Sequence, residues 1–176
     1  MQSSINSQEL QGQSCSKGSS VLDFTGICKD GAGSLVSKLG VLLANFQVFY
    51  TNLRGFHWKI AGNSFFTLHT KFEDQYDNLA GKIDEVAERI LTLGGSPENN
   101  FSQYLQISDI KEVSDICCGK AAVTNILESY KVVIALEREI LELAGSVKDE
   151  ATASLISDYL KEQEKTVWMF TAYLKS

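Results

Sequence analysis

Residues 52–97 read NLRGFHWKIAGNSFFTLHTKFEDQYDNLAGKIDEVAERILTLGGSP, and the spacing inside this stretch sets the reading of the whole chain. Phe65, Leu68, Phe72, Tyr76, Leu79, Ile83, Val86 and Ile90 recur at steps of three and four, which places them on one stripe of a helix. The pattern predicts a helix from about Ser64 to Leu93, stopped by Gly94-Gly95-Ser96-Pro97. Ala61-Gly62-Asn63-Ser64 supplies turn chemistry ahead of it, so a preceding helix should end near Ile60. That preceding helix carries its own stripe, formed by Leu35, Leu39, Leu42, Phe46, Phe49, Leu53 and Phe56.

Beyond Pro97 lies a connection longer than a tight hairpin, in which SQYLQIS (102–108) reads as a short helix of about two turns. A third long helix is expected from Val113 or Ser114 to about Gly145, with Val123, Leu127, Tyr130, Ile134, Leu141 and Ala144 inward. Cys117 and Cys118 would then lie on different faces of it. A fourth should run from about Asp149 to Leu174, its positive end favoured by Asp149 and Glu150. Strand signals are nearly absent, and there is one proline, so long helices are permitted. The predicted fold class is all-α: a ferritin-like four-helix bundle with a short extra helix in the long crossover between helices two and three. Residues 1–28 are expected to be a mobile tail and lead-in, the first 20 being Ser/Gln/Gly-rich, and residues 29–176 the bundle.

At 176 residues the chain suits one domain. Its net charge of −6 argues against a dominant basic surface for nucleic acid and is compatible with attracting cations. Cys15, Cys28, Cys117 and Cys118 lack C-x-x-C spacing and read as reduced thiols. The N-terminal residues have neither a basic start nor an apolar run, and no stretch reaches about 18 apolar residues. A cytoplasmic protein without a membrane span is therefore expected.

There are two histidines, His57 and His69, both in aromatic-rich helical settings. His69 and Glu73 stand four apart and share one helix face, as do Asp84 and Glu88 further along the same helix. Each pair offers ligands to a divalent metal, the first nitrogen and oxygen, the second oxygen alone. The competing reading of Asp84 and Glu88 is a solvated face, with Glu85 or Glu88 pairing Arg89. His69 and Asp84 are separated by roughly 22 Å along the helix but offset by only about 60° around it. Both pairs thus face nearly the same way, yet within one chain they cannot grip one ion. A two-fold axis near residues 78–79 removes the difficulty, setting His69 and Glu73 of one copy against Asp84 and Glu88 of another, twice per dimer. His57 can complete either site. Arg54 and Phe66 stand three residues before the histidines, so the paired Glu-x-x-His motif of an intrachain di-iron bundle is absent.

The run 52–97, with H-W followed by F-x-x-L-H and then D-x-x-x-E-R, resembles the signature region of Dps proteins, the mini-ferritins, and the closing WMFTAYL resembles the end of that family's last helix. The resemblance extends over residues 30–176. It implies a ferroxidase site between two-fold-related subunits, with His57, His69 and Glu73 from one and Asp84 and Glu88 from the other. Some relatives carry aspartate where this chain has Glu73. Trp58 resembles the family's site-adjacent tryptophan, with core packing as the alternative. The resemblance further implies a homo-oligomer of twelve chains with tetrahedral symmetry. It would oxidise iron from Fe2+ to Fe3+, with hydrogen peroxide or oxygen as oxidant, and store the ferric product inside, which protects against oxidative damage.

By the same resemblance, acidic residues near the start of the last helix line iron-entry pores. Asp149, Glu150 and Asp158 are candidates by position, with helix capping the alternative for the first two. Glu73, Asp74 and Asp77 either face the cavity or, for the last two, form a solvated surface. Family members that bind DNA often use a lysine-rich tail, whereas the first 20 residues here contain one basic residue, Lys17. DNA binding is therefore not favoured. The alternatives to a ferroxidase are a DNA-binding nucleoid-protecting shell and a shell that has lost its metal site.

Overall fold

A computed structural model describes residues 20–175. In chain order the elements are α1 (Val21–Thr25), α2 (Lys29–Lys59), α3 (Phe65–Thr92), α4 (Phe101–Ile107), α5 (Gly119–Ser146) and α6 (Glu150–Leu174). No strand occurs among the described residues. Apart from Ser20, the expected tail over residues 1–20 lies outside them. The lead-in contains an element the sequence did not announce: α1, a five-residue helix closed by a Ser20–Asp23 capping box and by Gly26 in the left-handed region.

α2 is the central element, packed against α3, α4 and α5, while α5 packs on α6. Every residue of its expected stripe, from Leu35 to Phe56, is buried. By length and composition alone Gly31–Lys59 would suffice to cross a membrane, contrary to the expectation from counting apolar runs. Here its apolar side chains are the core of the bundle. α3 ends as Gly94-Gly95 predicts. Gly94 takes φ +77°, its N–H bonds Leu91 O, and Gly95 N–H bonds Ile90 O, the paired bonds of a Schellman cap. A side chain at Gly95 would meet Val36 Cγ1 at 2.6 Å, so helix end and α2 need glycine there for close approach.

The third long helix starts later than expected, at Gly119 rather than Val113 or Ser114. Two asparagines of α2, seven residues apart, take over the backbone groups of the crossover. Asn45 Oδ1 accepts the N–H groups of Asp109 and Ile110, each at 3.1 Å. Asn52 donates to Lys111 O and accepts from Val113 N–H at 3.0 Å. These bonds hold residues 109–113 along α2, and Asp115, at φ +62°, turns the chain before Ala61 N–H bonds Cys117 O. Cys117 is thus outside the helix and Cys118 is its N-cap, so the two do not lie on different faces of a helix as expected. The inward stripe of α5 is also displaced. Ala122, Val123, Ile126, Tyr130, Val133, Ile140 and Ala144 are buried, whereas Leu127, Ile134 and Leu141 are only half-buried.

Long side chains join α3 to α6. Arg89 reaches both carboxylate oxygens of Asp149, at 2.6 and 2.7 Å, and donates from Nε to Thr152 Oγ1 at 2.8 Å. Asp149 also caps α6 by accepting Thr152 N–H. Arg89 is therefore engaged with Asp149, not with Glu85 or Glu88. Burial would raise the Asp149 carboxyl, but the Thr152 and Arg89 hydrogen bonds outweigh it and hold the group below its ordinary value. Its stabilising contribution is complete above the ordinary carboxylate range and is lost as pH falls through the lowered folded-state value. Arg89→Ala, which strands a buried carboxylate, should destabilise the fold by ~3 kcal/mol in denaturant titration at pH 7. The loss should shrink as the pH is taken below the ordinary carboxylate value of 3.8, through the lowered folded-state value.

Candidate metal centre

The two histidines sit where α2 ends and α3 begins, and each closes a bond to the other's backbone. His57 Nδ1 lies 2.8 Å from His69 O, and His69 Nδ1 lies 2.9 Å from His57 O. A carbonyl only accepts, so Nδ1–H donates in both rings. In the neutral imidazole this leaves the lone pair on Nε2, the form in which histidine binds a metal. The rings stack at 3.7 Å with 20° between planes. Phe65 stacks on the outer face of the pair, against His69 at 4.9 Å, and Tyr76 meets His57 edge-on at 5.3 Å. His57 is 8% exposed and His69 half-buried. The spacing across the 61–64 turn thus produces a rigid imidazole pair from two helices, each ring oriented by a bond behind it.

Glu73, exposed one turn beyond His69, accepts a long hydrogen bond from Tyr76 at 3.4 Å. Burial, Glu73 and Asp77 raise the Tyr76 phenol, which keeps it a donor. Tyr76 touches both His57 and Glu73, a role masked in the sequence by its place in the apolar stripe. Its signal was positional: it lies three residues after Glu73 and seven after His69, on the same helix face.

Asp84 and Glu88 are exposed further along α3 and, among the described residues, make no hydrogen bond or ion pair. The neighbouring Glu85 is engaged, accepting from Tyr159 OH at 2.6 Å. Among the described residues, no three His, Cys, Asp or Glu side chains of one chain are arranged to hold a metal ion. The structure brings His57 and His69 together and leaves Asp84 and Glu88 apart from them on the same helix. Trp58 is 64% exposed, with the Arg54 guanidinium 4.7 Å from its ring, so it does not pack in the protomer core. Phe66, beside the histidine pair in sequence, is 84% exposed. Asp149 is buried as a cap and ion-pair partner, whereas Glu150 and Asp158 are exposed. Asp74 is exposed and pairs with Lys71, and Asp77 is exposed.

These features define a ferritin-like protein: residues 36–176 match the family model of the ferritin-like domain. A DNA protection during starvation protein of Porphyromonas gingivalis is 48% identical over 153 residues, spanning 87% of this chain and 96% of that one. The crystal structure of a Dps protein from Vibrio cholerae, described as a member of a broad superfamily of ferritin-like diiron-carboxylate proteins, superposes with TM-score 0.86 at 45% identity, covering 90% of this chain and 99% of that one. Dps from Bacillus brevis superposes with TM-score 0.79 at 33% identity, over 82% and 97% of the two chains. The chain belongs to the Dps family, and its superfamily implies iron binding.

Because there are only two histidines, selective 15N labelling resolves each ring. In the metal-free protein the neutral form of each ring should carry its proton on Nδ1. A signal from the Nε2–H tautomer would contradict the reciprocal bonding.

Proposed function

We propose that the protein is a ferroxidase and iron store, built as a shell of twelve chains, with each oxidation site shared by two subunits across a two-fold axis. One subunit supplies His57, His69 and Glu73, its partner Asp84 and Glu88. The supporting observation is the division of donors: an ordered imidazole pair at one end of α3, and two unengaged carboxylates roughly 22 Å along it. Metal–ligand bonds of ~2 Å cannot bridge that separation within a chain. Neutral imidazoles and carboxylates suit Fe(II), the substrate. The exposed Trp58 and Phe66 beside the histidines fit burial against a second copy.

In this reading two ferrous ions each give one electron to one hydrogen peroxide. Its O–O bond breaks to two hydroxide equivalents, and no hydroxyl radical is released. Oxygen is the alternative oxidant. Ferric product is stored in the cavity, and Glu150 and Asp158 remain candidates for the entry pore, without Asp149. The proposed location is the cytoplasm, in keeping with free thiols at Cys28, Cys117 and Cys118.

The name of the Porphyromonas relative raises DNA protection as a second reading. Twelve chains at −6 total about −72, a field that repels phosphate. In stopped-flow oxidation of Fe(II), His57→Ala, His69→Ala, Asp84→Ala and Glu88→Ala should each slow the reaction at least tenfold, roughly the least expected from altering a metal's surroundings. Unchanged rates would remove that residue from the site. Particle mass should correspond to twelve chains with a large ferric load. A gel shift at neutral pH and physiological salt should show no DNA retardation, and tight binding there would favour the second reading.

A further inference from the structure

Between α3, α5 and α6, away from the histidine pair, the bundle core contains a carboxyl group with no part in the proposed oxidation. Glu137 of α5 is 0% exposed and Gln163 of α6 is 3% exposed. Gln163 Nε2–H donates to Glu137 Oε1 at 2.7 Å. The other oxygen of each group, Glu137 Oε2 and Gln163 Oε1, is buried without a hydrogen-bond partner, and these are the unsatisfied buried side-chain polar atoms among the described residues.

The neighbouring donors are committed elsewhere. From α3, the Lys82 ammonium bonds Asn78 Oδ1 and Glu162 Oε2, each at 2.6 Å, and lies 5.1 Å from the centre of the Tyr159 ring. Tyr159 OH of α6 donates to Glu85 of α3, and Tyr130 OH of α5 to Gln75 of α3 at 2.5 Å. From α2, Phe46 packs against Tyr159 and Phe49 against Tyr130. An ionised Glu137 would be a buried charge holding one hydrogen bond, with the Glu162 carboxylate acting against it. Buried polar groups are almost always paired, and a single hydrogen shared between these two oxygens would pair both.

We propose that Glu137 stands in the folded protein as a neutral carboxylic acid whose proton joins Oε2 to Gln163 Oε1, closing a reciprocal acid–amide pair that locks α5 to α6. One proton then satisfies both orphaned oxygens, and the two bonds run in opposite directions, as between an acid and an amide side by side. The energetic direction agrees. Burial raises the Glu137 carboxyl to about 8, against lowering by the Gln163 hydrogen bond and by Lys82, with Glu162 raising it further. With a folded value above the unfolded one, the contribution to stability is full below the ordinary carboxylate value of 4.5 and is lost as pH rises through about 8. The lock is therefore proton-dependent and opens on the alkaline side.

Infrared spectroscopy of the assembled, iron-free protein tests this directly. At pH 6.5 a protonated-carboxyl carbonyl band that shifts in heavy water should appear, and it should fade with a midpoint near pH 8. Glu137→Gln replaces the acid by an amide that makes the same two bonds without a proton, and should abolish the band. Its advantage over the parent in urea midpoint should grow between pH 4.5 and 8 and then level off. No such band at pH 6.5, a band that survives in Glu137→Gln, or an advantage independent of pH would each overturn the proposal. If Glu137→Gln fails to assemble, the presence and titration of the parent band still decide.

Discussion

The length of one straight helix constrains everything proposed about this protein. α3 rises about 1.5 Å per residue, so residues fifteen positions apart are anchored roughly 22 Å from each other, too far for their side chains to meet on one ion. They nonetheless point in nearly the same direction, because fifteen steps come close to a whole number of turns. A helix with metal-binding chemistry at both ends of one face and none completed by its own chain is suited to being read twice, once in each direction. In this account the two-fold axis is therefore part of the chemistry, and two sites follow from one interface.

The histidine pair shows how the site half is made rigid before any metal arrives. Two helix ends meet at the 61–64 turn, and each imidazole donates to the backbone of the opposite helix. The rings cannot swing independently, and the nitrogens left free are those a metal uses. Away from this end, α3 is tied to α6 by long polar side chains rather than by close backbone approach: Arg89 to Asp149, Lys82 to Glu162, and Tyr159 to Glu85. The polar interior around Lys82 and Glu137 lies between α3, α5 and α6, away from the histidine pair.

Helix periodicity made most of the bundle legible, because the α2 and α3 stripes are long, regular and bounded by glycine or turn residues. It failed where side chains at a distance in sequence overrode local preference. Nothing near Val113 announces that Asn45 and Asn52 will take the crossover's backbone groups and delay α5 to Gly119. The displaced stripe of α5 has a similar cause. Its half-buried Leu127, Ile134 and Leu141 are as apolar as its buried positions, so pattern alone does not say which face turns inward. The histidines and acids were visible as chemistry, but the reciprocal bonds of the ring pair and the bridging contact of Tyr76 depend on the approach of two helices. The burial of Asp149 likewise required Arg89 to arrive from another helix.

If each site is completed by two chains, two variants that are inactive alone should restore activity when they are assembled together. One variant would carry His57→Ala and His69→Ala, the other Asp84→Ala and Glu88→Ala, each assembled alone and then together after dissociation. Across a two-fold axis, a mixed dimer has one site with every ligand and one that keeps only Glu73. Fe(II) oxidation should accordingly return on mixing, to about a quarter of the parental rate for random pairing. Mixed particles as inactive as either variant alone would contradict a shared site.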